Sequence, residues 1–246
     1  MAETRRVLVI GGTRGTGLLI ARLLDQSGVS VRVLARDPHR ASRELGASIQ
    51  VVMGDITNEA TLVGAIDGAR DIVFTAGCRS GRPVRESRIK ATEFQGVINT
   101  LAVARRVGFA GRFLYMTSSG IGMRSFWTWA LNIYKGNTLL WRERAEDAIR
   151  ASGLPYTVIR TGMLLNRPAG SHTIELTQRA LPLLARYRIA RADVAEAFVA
   201  ALDHPRAVRA TFEIVWGRKG QRKEWPDLLA TLTPDAPSTI HRPAEE

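Results

Sequence analysis

The chain predicts an α/β fold, a doubly wound parallel sheet of about seven strands with helices on both faces. Three observations carry that reading. Apolar runs alternate with helical patterns along most of the 246 residues, and such alternation builds right-handed βαβ units. The first run, Val7-Leu8-Val9-Ile10, is apolar without a break, as in a parallel strand buried on both faces. Three glycines follow it in Gly11-Gly12-Thr13-Arg14-Gly15-Thr16-Gly17, and a helical pattern starts there.

In chain order, Leu18, Leu19, Leu23 and Leu24 make an apolar helical face that Gly28 closes. Val29–Ala35 reads as strand two and Ile49–Met53 as strand three. A short helix over about 59–66 leads to strand four, Asp71–Thr75. Residues 79–90 are polar and basic, carry Pro83 and read as a loop. A long helix over Ile89–Val107 precedes strand five, Arg112–Thr117, and another long helix falls within about 124–151. Tyr156–Arg160 is strand six, a helix lies near 191–202, and Thr211–Val215 is strand seven. One domain over 1–233 accounts for this order. Residues 162–190 fit no regular unit and read as a segment covering a substrate, and 234–246 reads as a loose tail.

The bulk numbers narrow the class. The polar start Met1-Ala2-Glu3-Thr4-Arg5-Arg6 raises no expectation of a signal peptide, and no apolar run approaches the ~18 residues of a membrane span. A cytoplasmic location is expected. Cys78 is the only cysteine, which excludes an internal disulfide and a cysteine-based metal site, and no metal is expected. The net charge of +12 comes mostly from arginine, with only 4 of the 35 basic residues lysine. Those arginines are spread along the chain without a basic tail, so nucleic acid is not the expected partner. A possible homo-oligomer is left open.

In sheets of this kind ligands sit at the carboxyl ends of the strands. Glycines between strand and helix let the backbone pass close to a diphosphate, and the helix N-terminus points free N–H groups at it. Gly11, Thr13, Arg14, Gly15, Thr16 and Gly17 are therefore candidates to bind a dinucleotide. Arg36 follows strand two directly, where an acidic residue would bond a 2′-hydroxyl and an arginine suits a 2′-phosphate. That position, with Arg14 in the turn, favours NADP over NAD. Asp55 ends strand three and could accept from the adenine amino group with Ile56 against the ring, or it could cap the following turn. Thr75-Ala76-Gly77 ends strand four with small residues that would let the chain pass beside the ribose. Thr117-Ser118-Ser119-Gly120 ends strand five, where Ser118 could donate to a substrate oxygen as charge develops or serve only the local turn.

With these residues the chain resembles the short-chain dehydrogenase/reductase superfamily, in its atypical NAD(P)H-binding, NmrA-like branch. The resemblance rests on the glycine turn, Gly54-Asp55, Thr117-Ser118-Ser119, the run Glu146–Arg160 and Arg191-Ala192-Asp193-Val194-Ala195. It implies a Rossmann-type fold with NADP as cofactor, and it places Thr161, Gly162 and Met163 near a nicotinamide. Catalytic members carry Tyr-x-x-x-Lys on the helix after the serine strand, which sets phenol and ammonium on one helical face. Here Tyr134 and Lys135 are adjacent, about 100° apart around a helix. Registered on Trp141-Arg142-Glu143-Arg144, Arg142 stands where the lysine would be. Arginine can hold ribose hydroxyls but is not a practical proton donor.

The expected function is transfer of hydride from NADPH to an apolar, aromatic or conjugated small molecule. Ser118 would polarise the acceptor, Tyr134 or water would supply a proton, and Lys135 stands beside it. A non-catalytic NADP(H)-binding regulator or assembly factor is the alternative, and an isomerase or epimerase the second. Phe126, Trp127, Trp129, Leu131 and Tyr134 form an aromatic patch that could be core, a substrate wall, or a dimer or membrane contact.

Overall fold

Side chains along the first strand, β1 (Arg6–Ile10), go alternately to two separate cores. Val7 and Val9 join the core on one face of the sheet, and Leu8 and Ile10 join the core on the other. Both faces are covered over Val7–Ile10, so no position there can be polar, and this is the physical origin of the unbroken apolar run. In a computed structural model of the chain, residues 6–78, 85–123, 126–217 and 220–236 are described, without the side chains of residues 126 and 127.

Six more strands lie parallel to β1: β2 (Ser30–Ala35), β3 (Gln50–Met53), β4 (Asp71–Phe74), β5 (Arg112–Ser118), β6 (Tyr156–Thr161) and the last strand, β10 (Ala210–Trp216). The sheet order is β3-β2-β1-β4-β5-β6-β10, with β8 (Ile174–Thr177) added antiparallel at the β10 edge. The strand order reverses between β1 and β4, the place where such sheets bind ligands. The first core takes α1 (Gly15–Gln26), α2 (Pro38–Leu45), α8 (Arg191–Asp203) and α9 (Trp225–Leu229). The second takes α3 (Val63–Ile66), α5 (Gly96–Arg106) and α7 (Thr138–Ala151).

Several elements depart from the expectation. Helix α2 has its own signals: the Arg40 N–H donates to Asp37 Oδ1 at 3.0 Å, and Pro38 takes the first turn, where a missing N–H costs nothing. Residues 79–84 of the expected loop lie outside the described residues. Helix begins inside the rest of it, with α4 (Glu86–Ile89), and runs through a π-helical segment (Lys90–Gln95) into α5. The expected long helix within 124–151 is two helices, α6 (Phe126–Tyr134) and α7. Gly136 and Asn137 break it with φ of 53° and 58°, a left-handed turn no continuous helix contains.

The expected irregular segment 162–190 is partly regular. It holds β8, and β7 (Met163–Leu165) pairs in parallel with β9 (Arg188–Ala190) as a second small sheet. Runs of three or four residues are too short to show a period. At the start of the expected loose tail, Asp235 is held: Oδ1 accepts from the Thr211 N–H at 2.9 Å, and Oδ2 accepts from the Thr211 and Tyr156 hydroxyls. Residues 237–246 lie outside the described residues.

Candidate active site

The turn from β1 to α1 is packed against the end of β4 so closely that only glycine fits. A Cβ on Gly11 (φ 87°) would lie 2.6 Å from the Ala76 nitrogen. One on Gly17 would lie 2.3 Å from the Gly11 carbonyl oxygen and 2.5 Å from Thr75 Oγ1. Thr75 fixes the contact from its side, donating both N–H (2.8 Å) and hydroxyl (3.1 Å) to the Ile10 carbonyl. Helix α1 starts without a side-chain cap and without an acidic residue in its first turn, so its N–H groups keep their positive end for a ligand. The hydroxyl of Thr16 in that turn is buried without a partner among the described residues. A bare cradle, an uncapped helix start and an unpartnered hydroxyl fit a diphosphate.

Arg36 follows the end of β2 and is exposed, as is Arg14 in the turn. Neither side chain has a hydrogen-bonding partner among the described residues. Asp55, past the end of β3, caps its own turn: Oδ1 accepts from the Thr57 N–H at 2.9 Å and the Thr57 hydroxyl at 2.8 Å. Ile56 packs on Gly96, where a Cβ would lie 2.6 Å from its Cδ1.

At the end of β5, Ser118 is half-buried and in register with Thr161 of β6. Thr161 spends its hydroxyl on the Thr117 carbonyl at 3.1 Å, while the Thr117 hydroxyl is buried without a partner. Gly162 lies against the Tyr187 carbonyl, 2.4 Å from where its Cβ would be, and Met163 beyond it is exposed. The chain that covers this end comes from the same segment: the Gly120 N–H donates to the Leu181 carbonyl at 3.0 Å.

The helix after the serine strand holds the largest departure. Tyr134 is the last residue of α6 and 54% exposed, and Lys135 follows in the break. Of the aromatic patch, Trp129 and Tyr134 are exposed, so core packing does not describe these two, and the side chains of Phe126 and Trp127 lie outside the description. Arg142, one helix later, does reach the end of β4: a Cβ on Gly77 would lie 3.4 Å from its Nη2. Four residues before it stands Thr138, where a dyad would put the tyrosine.

Both Thr138 and Arg142 bind one carboxylate the sequence did not single out. Glu93 is 2% exposed and sits in the π-helical segment. It accepts from Arg142 Nε at 2.9 Å and Nη2 at 3.1 Å, from the Thr138 hydroxyl at 2.5 Å and from the Cys78 N–H at 3.0 Å. Burial raises the Glu93 pKa, but the Arg142 charge and these four donors outweigh it and hold the carboxyl below its ordinary range. Burial alone would lower the pKa of Arg142; Glu93 reverses this and holds it above its ordinary value. Burial pushes the Cys78 thiol up. A Glu in a helical pattern reads as solvent-facing, so only its fixed partners reveal it.

A protein family described as NAD(P)H-binding matches residues 11–205. The chain belongs to that NAD(P)H-binding family. Among relatives, this NAD(P)H-binding protein is 27% identical over 264 residues to sanguinarine reductase of Eschscholzia californica, covering 92% of this chain and 94% of that one. It is also 27% identical over 214 residues to an uncharacterized sugar epimerase of Bacillus subtilis, covering 86% and 94%. Among solved structures, a putative NAD-dependent epimerase/dehydratase from Bacillus halodurans superposes with a TM-score of 0.77 at 22% identity, covering 93% of this chain and all of that one. The resemblance to atypical short-chain dehydrogenases/reductases agrees with these matches. No helix among the described residues of the NAD(P)H-binding protein is long and apolar enough to cross a membrane.

Asp193 explains how the segment after residue 162 is held in this NAD(P)H-binding protein. It is fully buried at the start of α8. It accepts from the Gly170 N–H at 3.0 Å, Trp216 Nε1 at 2.8 Å and Arg222 Nη1 at 2.8 Å. An Asp three residues into a helix pattern is the only sequence signal for it.

Proposed function

We propose that this protein is an NADPH-dependent reductase acting on apolar, conjugated small molecules. The observation that carries the reading is the replacement of the phenol–ammonium pair by Thr138 and Arg142, both committed to Glu93. Neither group is a practical acid for a substrate oxygen. Acceptors that delocalise incoming charge need least help with protonation.

NADPH bound at the glycine turn supplies the hydride. Gly11, Thr13, Gly15, Thr16 and Gly17 cradle the diphosphate, and Arg14 and Arg36 meet the 2′-phosphate. Asp55 and Ile56 would meet the adenine, while Asp55 Oδ1 holds the turn. Thr75, Ala76, Gly77 and Arg142 line the ribose, and Thr117, Thr161 and Gly162 line the nicotinamide. Ser118 donates to the acceptor oxygen, and Tyr134 or water returns the proton. A reductase among the relatives supports this reading.

The test is consumption of NADPH against quinones, flavins, conjugated enones and unactivated ketones, followed by variants with the best acceptor. Conjugated acceptors should turn over and plain ketones should not. Ser118→Ala should lower turnover ~10²–10³-fold, as removal of one donor at developing charge does. Tyr134→Phe should cost less, and Lys135→Ala little. A thousandfold loss in both Tyr134→Phe and Lys135→Ala, with Ser118→Ala near normal, would sink this assignment. Tight NADPH binding without consumption of any acceptor favours a non-catalytic regulator, which the absent dyad also allows.

A further inference from the structure

A half-buried arginine lies against the glycine turn from the far end of the chain. Arg191 opens α8, which packs along α1. A Cβ built on Gly15 would lie 3.7 Å from Arg191 Nε, so the guanidinium stem covers the start of α1. Its Nη1 donates to the Leu164 carbonyl at 3.2 Å and to Asn166 Oδ1 at 2.7 Å. Among the described residues no carboxylate pairs with it. By contrast, Asp193 and Glu196 neutralise Arg222, and on the other face of the sheet Glu146 neutralises Arg150 and Arg160.

This arrangement is unfavourable without an anion. A positive side chain in the first turn of a helix opposes the helix dipole. Burial then removes water from the charge, and among the described residues no carboxylate pairs with it. The same turn holds the uncapped N–H groups of α1 and the unpartnered Thr16 hydroxyl, which is 3% exposed. The uncapped start of α1 and an unneutralised guanidinium therefore converge beside Gly15, and a diphosphate carries the charge that satisfies both.

We propose that Arg191 is a diphosphate ligand of the bound dinucleotide, and that its bonds to Leu164 and Asn166 couple cofactor binding to the segment 163–190. The proposal rests on the dinucleotide site described above and adds a ligand outside the glycine turn. Arg191 draws on β7 for its orientation, so the same side chain that meets the phosphates holds the start of the chain over Ser118. Cofactor occupancy would then order the cover of the active site.

The experiment compares the unmutated protein with Arg191→Gln and Arg191→Lys. Dissociation constants are measured for NADPH and for adenosine 2′-monophosphate, which lacks the diphosphate. Hydrogen exchange of residues 163–190 is followed with and without NADPH, and melting temperature without ligand. Arg191→Gln should weaken NADPH roughly ten- to hundredfold, the range for a charge-assisted hydrogen bond, and leave adenosine 2′-monophosphate unchanged. Arg191→Lys should fall between, because it keeps the charge and loses the fork. NADPH should slow exchange across 163–190 in the unmutated protein and not in Arg191→Gln. The unliganded variant should melt close to the unmutated protein, since relief of a half-buried charge offsets the lost bonds to Leu164 and Asn166. Equal NADPH affinity in Arg191→Gln and the unmutated protein overturns the proposal and leaves the dinucleotide site standing. Equal loss of both ligands with a lower melting temperature also overturns it, making Arg191 a structural strut. No NADPH binding by the unmutated protein overturns both the proposal and the site it rests on.

Discussion

The two halves of the candidate site are built by opposite means. The cofactor half, from the glycine turn to the end of β4, is made of backbone and of missing side chains. Its contacts join backbone to backbone, as where Gly11 meets Ala76, and the clearance at Gly11 and Gly17 leaves no room for a Cβ. The half around Arg142 is made of side chains and their charges: Glu93 meets Cys78, Thr138 and Arg142 across 15, 45 and 49 residues. The first half depends on shape that any added atom destroys. The second depends on charge balance, so removing one partner leaves the others stranded.

The sharpest test of that contrast is Gly17→Ala. Its Cβ meets a backbone oxygen at 2.3 Å, and the carbonyl cannot yield as a flexible side chain would. A loss of at least about 3 kcal/mol is expected, the upper end for overpacking, together with loss of NADPH binding. For a chain of this size that is a fall of roughly 6–12 °C in melting temperature. A Gly17→Ala protein with normal melting and normal affinity would remove the distinction between the halves.

Next in size is Glu93→Ala. It strands the Arg142 charge, the Thr138 hydroxyl and the Cys78 N–H. Breaking a buried ion pair costs ~3–5 kcal/mol, and the lower end is expected because the Arg142 side chain is 22% exposed. The pair also gives a pH signature. The folded Glu93 pKa lies below its unfolded value, so its contribution is present above the ordinary Glu pKa of about 4.3 and is lost as pH falls through the folded value. Melting temperature should therefore drop on acidification below about pH 5, and less steeply in Glu93→Gln. Identical acid slopes in the two proteins would show that the pair is not linked to folding.

Arg36→Ala probes the cofactor half without disturbing its shape. NADPH should weaken roughly ten- to hundredfold, while NADH barely changes. Equal dissociation constants for the two cofactors in the unmutated protein contradict the assigned role of Arg36. The smallest effect belongs to Asp55→Ala, which should weaken NADPH and NADH alike by about two- to tenfold, the worth of one ordinary hydrogen bond. Losing the bonds to Thr57 should also lower stability by about 0.5–2 kcal/mol. A stability loss with unchanged affinity would make Asp55 a cap alone.

The sequence by itself determined the parallel sheet and the glycine turn, because both are written locally. A strand covered on both faces must be apolar at every position, as Val7–Ile10 is, and a backbone pressed against a neighbouring strand must be glycine, as Gly11 and Gly17 are. That pattern made β1 legible, and the alternation of strand and helix patterns made the other six parallel strands legible. Helix α2 was missed, although Asp37-Pro38, a cap and a proline, marks its start.

Only the tertiary structure decided where the tall charged side chains go. Nothing near Glu93 marks it as buried, since its partners lie up to 49 residues away. The break at Gly136 and Asn137 looks like an ordinary turn until the two helices around it are placed. Strands β7, β8 and β9 are stabilised by neighbours and not by their own pattern, because three or four residues are too few to state a period. Local chemistry can specify what a backbone must avoid, whereas a buried charge is stable only through the partners that folding brings to it.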